Sequence, residues 1–436
     1  MTRNNYFKDA AKEHYRNLLG IAIILISIIL FISYSKYKQV TKNTESPLNV
    51  IPTNAAVIFQ CNDAENLNVT LLNTTIWKGL LTINQLQLID DKLKDISAFF
   101  SQYQLVFTTN TLFISLHKVG ANKGEVLYSS NFSLENIKSK KGIAALLGAA
   151  ITTHSYDKKI IYQIANDEKE IYCSFKGDII FFSSSKMLIE DVIKESATTD
   201  NLFSNPDFKL TYNTISKSAE INLFLNYNAL AKFTSIYTKN TIRLNDFSQW
   251  IATDIKIKDN VIIANGFGSI NSPVENYTDV FSNQSIESID IIEIIPENTS
   301  MILAMGFDKT KLLFDKKNKL LQTQNNFWSW DKRRKQLLDS TKVNYNELIL
   351  QLENEAGRFN TFSTQSSSEQ YTYFKSENSL TTSSLIQGII ASSKEYNGYP
   401  INHCHDPNIT ANLFGELFTC NTPYFTIIED YFIFGS

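Results

Sequence analysis

Residues 51–59 read IPTNAAVIF, and residues 295–303 read IPENTSMIL. Each stretch begins with Ile-Pro-x-Asn, continues with two small residues and ends in an apolar run that is typical of a β-strand. Proline is tolerated at the first residue of a strand, because its missing N–H removes no hydrogen bond from the sheet there. Pro52 and Pro296 lie at the same place in the two stretches, which predicts two copies of one folding unit.

A helix-like region that carries a tryptophan follows each opening, with Trp77 in the first copy and Trp328 in the second. We therefore take Pro52, Trp77, Pro296 and Trp328 as structural markers of the repeat. The two tryptophans are expected to be core residues that both copies share.

The match between the copies resumes further along the chain. Residues 156–167 (YDKKIIYQIAND) resemble residues 396–407 (YNGYPINHCHDP), and residues 178–184 (DIIFFSS) resemble residues 430–436 (DYFIFGS). The three matches keep the same order, with offsets of 244, 240 and 252 residues. A period of this length is far too long for a solenoid and indicates a duplicated domain.

The predicted fold class is α+β. Strand-like runs follow one another without strict alternation with helices, which favours a mainly antiparallel sheet with helices on one face. We place the first copy at residues 49–290 and the second at residues 291–436. The clearest strand-like runs are residues 56–61, 105–109, 159–164, 171–175 and 179–183, and the helix-like regions are residues 80–100, 142–152 and 186–195.

The second copy is shorter than the first. After its last match the first copy continues with an amphipathic helix and three strand-like runs, residues 220–225, 250–257 and 261–265. The second copy ends at Ser436, directly after an apolar run. We therefore expect a truncated second copy with an unpaired sheet edge at residues 431–436. Either the chain is a fragment of a longer protein, or another chain completes the sheet.

The stretch from Leu18 to Tyr34 reads LLGIAIILISIILFISY and contains neither charge nor proline. A helix of this length covers about 25 Å, slightly less than the ~30 Å hydrocarbon core of a bilayer. It predicts a single-pass transmembrane helix over residues 18–35, with the lipid bilayer as its partner. A short tail of residues 1–17 precedes the helix, and a polar tether of residues 36–48 follows it.

Four basic residues precede this helix and three follow it, which favours a cytoplasmic N-terminus and an extracytoplasmic bulk. A cleaved signal peptide is the alternative, because Ser33 and Ser35 are small residues at the two recognition positions of a cleavage site. In an extracytoplasmic location Cys404 and Cys420 are close enough in sequence to form a disulfide, and the sequence leaves their pairing open.

The composition excludes several classes of protein. Lys and Arg number 41 against 44 Asp and Glu, so the net charge of -3 lacks the strongly basic balance of a nucleic-acid-binding protein. Hydrophobic residues make up 43%, which is enough for folded cores. Four cysteines in 436 residues exclude a disulfide-dense scaffold.

The most metal-like cluster is residues 403–406, HCHD. On a strand, His403 and His405 share a face and would bind zinc if a third ligand came from elsewhere. The aligned residues of the first copy, Gln163 and Ala165, are poor metal ligands. The repeat therefore argues against a metal site, and no cofactor is expected.

A basic run at residues 332–335 follows the aromatic residues 327–330, FWSW. This pattern suits an anionic polymer or a membrane surface. The alternative is an amphipathic helix with buried tryptophans and solvated charges. Three carboxylate clusters are also present, and each is expected on a solvated helical face: Asp90 and Asp91 with Asp95, Glu190 with Asp191, and Glu353 with Glu355.

The Ile-Pro-x-Asn opening, the tryptophan-bearing helix, the N-terminal anchor and the duplicated α+β unit resemble an uncharacterised family of membrane-anchored Gram-negative envelope proteins. The resemblance extends over essentially the whole chain, and members continue beyond its C-terminus. It implies an inner-membrane protein with a periplasmic bulk. That family, a domain of unknown function, has no assigned catalytic residues, so none is carried over.

The residues contain no nucleophile elbow, no P-loop spacing and no H-E-x-x-H motif. The GANKG stretch at residues 120–124 indicates a hairpin turn. The expected function is non-enzymatic binding or scaffolding with an envelope protein partner. Two alternatives stay open: a hydrolase of an envelope polymer with two facing acids, and a ligand-sensing ectodomain.

Overall fold

The computed structural model describes residues 45–66, 68–83, 86–87, 90–91, 93–94, 97, 109–132, 150–166, 169–198, 200–238, 244–271, 273–362, 369–406, 408–420 and 423–435. Within these ranges no helix combines the length and the apolar character that a bilayer crossing requires. The anchor predicted between Leu18 and Tyr34 lies outside the described residues.

The chain is an α+β protein with two sheets whose described pairings are antiparallel. The first sheet contains ten strands, β1 (Val57–Cys61), β2 (Leu112–Val119), β3 (Lys123–Asn131), β4 (Ala150–Tyr156), β5 (Lys159–Asn166), β6 (Lys169–Lys176), β7 (Ile179–Ser183), β8 (Ile221–Asn226), β9 (Trp250–Lys258) and β10 (Val261–Gly268). The second contains seven, β11 (Thr299–Gly306), β12 (Leu352–Thr361), β13 (Glu369–Ser376), β14 (Ile390–Tyr396), β15 (Tyr399–Cys404), β16 (Tyr424–Ile428) and β17 (Tyr431–Gly435).

The same arrangement of seven strands occurs in both sheets. The first sheet has the order β10-β9-β8-β1-β2-β3-β7-β6-β5-β4, and the second has the order β11-β12-β13-β17-β16-β15-β14. Strands β1 to β7 therefore correspond one by one to β11 to β17. The described part of the second sheet has no counterpart of β8, β9 and β10.

The pairing registers repeat as well, at the offsets that the sequence predicts. Val57 pairs with Leu116 and Met301 pairs with Asn360, so that both partners shift by the offset between the two Ile-Pro-x-Asn stretches. Tyr172 of β6 pairs with Ser183 of β7, and Tyr424 of β16 pairs with Gly435 of β17. Both partners differ by the offset of the last sequence match. The paired residues of β4 and β5 differ from those of β14 and β15 by the offset of the middle match. The predicted duplication is thus present in strand order and in register.

Helices follow the strands in both halves of the chain. They are α1 (Thr75–Leu80), α2 (Lys186–Ser196), α3 (Pro206–Tyr212), α4 (Tyr227–Thr234), α5 (Thr310–Thr323), α6 (Phe327–Thr341), α7 (Tyr345–Ile349), α8 (Ser379–Ile386) and α9 (Ile409–Phe414). Helix α2 confirms the predicted helix at 186–195, and its N-cap Ser185 accepts a hydrogen bond from the N–H of Leu188.

Several predicted elements are confirmed and others are not. The GANKG stretch forms the turn between β2 and β3, where Gly120 has a φ of 61°. The helix predicted over residues 142–152 is wrong at its end, because residues 150–152 belong to β4. The strand predicted at 105–109 falls almost entirely outside the described residues.

The predicted open edge at residues 431–436 is also wrong. Strand β17 lies inside the second sheet and pairs with β13 on one side and β16 on the other. The outer strands of this sheet are β11 and β14. The apolar sequence YFIFG of β17 is that of a central strand with all five residues buried.

The chain divides into two compact units. One comprises the described residues up to Asn205 together with Ser216–Leu223 and Asp254–Ala264, and the other comprises Pro206–Ile215, Phe224–Thr253 and the described residues from Asn265 onward. The domain boundary at residues 290/291 remains a prediction. It does separate the strands of the two sheets, because the first sheet ends at Gly268 and the second begins at Thr299.

In the second unit, helices pack on one face of the seven-stranded sheet. The core on that face contains Phe314 of α5 and Phe414 of α9 together with Phe374 and Phe432 of the sheet. The opposite face carries a smaller cluster around Tyr373, which the chain segment before β11 covers. In the first unit, Trp77 of α1 packs in a cluster with β1 and β2.

Candidate functional site

The two histidines that sequence reasoning singled out lie at the end of β15 and just beyond it. His403 lies on β15, where its ring packs edge-on against Tyr424 at 5.2 Å between centroids. His405 follows the strand, and its backbone N–H donates to the C=O of Ile389. Within the described residues, no cluster of three His, Cys, Asp or Glu side chains is placed to hold a metal ion.

The aromatic and basic residues of α6 divide between core and solvent. Trp330 is buried, and its Nε1 donates to the C=O of Asn412 at 3.0 Å. The guanidinium of Arg334 lies over the Trp330 ring at 4.3 Å and contacts Asn346. Trp328, the predicted marker, is 77% exposed. The buried tryptophan of the second copy is therefore Trp330 rather than Trp328.

The exposed face of α6 carries charges of both signs. Lys335 forms an ion pair with Asp331 at 2.7 Å, and the exposed Asp339 lies one turn beyond Lys335 on the same face. These acids offset Lys332 and Lys335 beside Trp328. Arg333 is exposed as well, so basic residues still outnumber acidic ones on this helix.

Sequence reasoning missed Lys317 of α5, which is buried. Its Nζ donates to the C=O of Leu413 and lies 5.4 Å from the Trp330 ring. Burial, together with the nearby Arg334, lowers the pKa of this lysine to about 7. The sequence does indicate this burial, because Lys317 lies on the same face of the helix as the buried Leu313 and Leu320.

Two of the predicted solvated carboxylates are buried instead. Asp90 accepts a hydrogen bond from Trp77 Nε1 at 2.8 Å and pairs with Lys94 at 2.6 Å. The ion pair with Lys94 and the bond from Trp77 lower the pKa of Asp90. Glu355 is completely buried in β12. Glu190 lies within 3.6 Å of Lys186, one turn away on α2.

Glu355 receives four hydrogen bonds. Tyr373 Oη donates to one carboxylate oxygen at 2.8 Å, and Tyr431 Oη donates to the other at 3.0 Å. The backbone N–H groups of Asp290 and Ile291 donate to the same second oxygen at 2.8 and 3.3 Å. Burial and the bond to Glu355 raise the pKa of both tyrosines. This carboxylate holds the segment before β11 onto the sheet.

A serine–histidine–asparagine relay occurs on β2, which sequence reasoning also missed. Ser115 Oγ lies 2.8 Å from His117 Nε2, and His117 Nδ1 lies 3.1 Å from Asn54 Oδ1. Ser115 and His117 are completely buried, and burial lowers the pKa of His117 to about 3. Nucleophilic catalysis uses the same sequence of groups, in which a hydroxyl contacts a histidine and a third group orients that histidine. This serine, however, has no access to a substrate.

The feature that distinguishes the two copies most sharply is strand β11. In the first sheet, its counterpart β1 lies between β8 and β2, whereas among the described strands β11 pairs with β12 alone. Val57 and Ile58 of β1 are 8% and 0% exposed, and the corresponding Met301 and Ile302 of β11 are 42% and 38% exposed. Leu303 is 38% exposed as well. Within the part of the chain that the structure describes, this strand is therefore paired on both edges in the first sheet and on one edge in the second.

The hydrogen-bond phase of β11 shows which backbone groups face outward. The N–H of Phe307 donates to the C=O of Asn354 at 2.9 Å. Residues of an antiparallel strand alternate between bonding to the partner and pointing away from it. Ile302 and Ala304 therefore direct their N–H and C=O groups to the free edge. Their counterparts in β1 lie two and four positions before Asn62, so their backbone groups point to the same edge as those of Asn62. The N–H of Asn62 donates to the C=O of Glu220, just before β8.

Strand β11 also lacks most of the features that keep edges from pairing. It carries neither charge nor proline between Thr299 and Gly306, although a bulge lies near its start. The other outer strand of this sheet, β14, carries Lys394 and Glu395. Strand β10 is also uncharged and outermost in its sheet. Strand β10, however, has no counterpart in the described second sheet. The repeat therefore gives no example of a strand that pairs with its free edge.

Comparisons with known proteins add little. No protein-family model matches the chain, and no curated protein matches it. TP0453 in its crystal form III is similar with a TM-score of 0.31 and 10% identity, over 57% of this chain and 91% of that one. Its crystal form I gives a TM-score of 0.28 and 12% identity, over 57% and 90%. At such TM-scores neither similarity bears on the function of this chain.

Proposed function

We propose that the chain is a binding protein of the bacterial envelope that recruits a partner protein by adding the partner's strand to β11. Residues 18–34 anchor it in the inner membrane, the N-terminus lies in the cytoplasm and the bulk lies in the periplasm. It belongs with the membrane-anchored envelope proteins that its sequence resembles. Its role is to hold or organise its partner rather than to catalyse a reaction.

One observation supports this proposal above the others. No described strand occupies on β11 the edge that β8 occupies on β1, and this free edge presents uncharged apolar residues around Ile302. An added strand pairs with the outward N–H and C=O groups, and its side chains cover the neighbouring apolar ones. No chemistry is assigned to Ser115 and His117, because both are enclosed.

Site-specific photocross-linking in native membranes tests the proposal. A photoreactive residue replaces Leu303 on β11, and a matched control replaces the exposed Ser393 on β14. A second substitution, Ile302→Pro, removes an outward N–H without breaking a bond to β12. Ile302→Val retains that N–H and serves as its control.

We expect an adduct at position 303 that persists with Ile302→Val, is lost with Ile302→Pro and is absent at position 393. Tryptic peptides of the adduct should place the cross-link within an extended segment of the partner. An adduct that is unaffected by Ile302→Pro, or equal labelling at both positions, would overturn the proposal.

A further inference from the structure

We infer that the strand which β11 accepts has the chemistry of β8: uncharged, with apolar side chains on both faces, and antiparallel to β11. This inference rests on the proposed function and names the class of partner. It is drawn from the way in which β8 sits on β1, since β1 and β11 share position and register.

The direction follows from the contacts at the end of β1. The N–H of Asn62 donates to the C=O of Glu220 at 3.1 Å, and the Asn62 side chain contacts Ala219 and Asn222. The end of β1 thus lies beside the start of β8, and the two strands run in opposite directions. The equivalent of Asn62 is Gly306, which has no side chain to make these contacts. An added strand at β11 is therefore held by backbone pairing and side-chain burial.

The side-chain requirement follows from the two faces of β11. Leu303 lies on the helix-covered face, because the neighbouring Met305 packs against the core there. Ile302 lies on the opposite face, directly across from Phe359, which belongs to the cluster on that side. Both residues are 38% exposed. A strand beside them must therefore be apolar on both of its faces to cover them.

Strand β8 has this pattern. Phe224 is fully buried on one face, between the buried Asn222 and Asn226, and Leu223 and Leu225 are half-buried on the other. The apolar side chains thus lie at the centre of the strand on both faces. The strand carries no charge from Ile221 to Asn226. Charged residues in an added strand would lie against the apolar side chains of β11, which costs free energy without a compensating partner.

The test uses a labelled peptide of residues 219–227, AEINLFLNY, and the full-length chain in detergent micelles. Fluorescence anisotropy measures its binding to the wild type, to Ile302→Val and to Ile302→Pro. A second peptide with Leu223→Asp tests the side-chain requirement. Ile302→Lys, which retains the N–H but adds an edge charge, replaces the proline variant if thermal melting shows that the latter is unfolded.

We expect saturable binding that differs less than threefold between the wild type and Ile302→Val. Binding should weaken at least tenfold with Ile302→Pro or Ile302→Lys, and at least tenfold for the Leu223→Asp peptide. Binding that these changes leave unaffected, or an absence of saturable binding, would overturn the inference.

A second copy of the chain is the alternative occupant. Sedimentation equilibrium without peptide would then show a dimer that Ile302→Pro dissociates, and this result would overturn the inference. The cross-link at position 303 distinguishes failure of this inference from failure of the proposed function. If it forms but the peptide does not bind, the proposed partner class is wrong while the binding edge stands. If it does not form, the proposed function fails.

Discussion

Gly357 of β12 shows how closely the second sheet constrains single residues. A Cβ at this position would lie 2.5 Å from the carbonyl oxygen of Leu303 and 2.6 Å from Tyr373 Oη. The glycine leaves room for the Tyr373 ring, which crosses it to reach Glu355. This space requirement cannot be read from the sequence, since Tyr373 lies on the following strand and only the register brings it there.

Gly357→Ala should destabilise the protein by about 1–3 kcal/mol, because the backbone carbonyl of Leu303 cannot move aside cheaply. Gly79→Ala on α1 is the control, since its added Cβ meets nothing within 4 Å and alanine favours the helix. Urea unfolding of both variants measures the difference. Equal stability of the two would contradict the described packing.

His117 makes stability depend on pH. Its pKa is about 3 in the folded protein, against about 6.5 in an unfolded chain. The unfolded chain therefore binds the additional proton as the pH falls below 6.5, and stability is lost on acidification toward pH 3. Between pH 7 and 5 the wild type should lose about 2 kcal/mol more than His117→Gln. Parallel pH profiles from chemical unfolding would show that the histidine is not buried as described.

At the scale of elements, the two Ile-Pro-x-Asn stretches and the later matches were sufficient to predict the repeat. Strand β1 begins at Val57, within the predicted run, and all three sequence offsets reappear in the pairing registers. The chain order of elements does not reveal the spatial order of a sheet, however. Strand β17 was therefore expected at an edge, whereas the repeated topology places it in the centre.

The candidate sites were harder to predict for a related reason. The relay of His117 depends on Asn54, which lies before β1, and the bonds to Glu355 come from three separate segments. Alternation along β2 does give a clue, because Ser115 and His117 fall among buried residues on one face. Trp330 and Trp328 differ by two helical positions, which point in opposite directions on α6.

The segment before β11 should depend on Glu355. Glu355→Ala leaves two tyrosine hydroxyls and two backbone N–H groups without their acceptor, which should cost at least about 3 kcal/mol. Glu353→Ala on the same strand should cost less than about 1 kcal/mol, because its ion pair with Lys375 is partly exposed. Limited proteolysis should show earlier cleavage between residues 283 and 298 in the Glu355 variant alone. Similar costs for both variants would contradict this role of Glu355.

At the scale of the whole molecule, the proposed anchor and the folded units have separate roles. Deletion of residues 1–35 should release the protein from the membrane and leave its melting temperature unchanged, since the cores lie among residues 45–435. Membrane fractionation with and without carbonate washing, followed by circular dichroism, measures both effects. A truncated protein that stays in the membrane fraction would contradict the proposed anchor.

The bare edge of the second sheet is the central claim about function. Residue-resolved hydrogen exchange of the full-length protein, in its own membranes and after purification, tests it most directly. The amides of Ile302 and Ala304 should exchange slowly in the membranes, where the partner strand is present, and quickly in the purified protein, while the amide of Leu303 stays protected in both. Fast exchange of Ile302 and Ala304 in the membranes would contradict the account, because no strand would then be paired with β11.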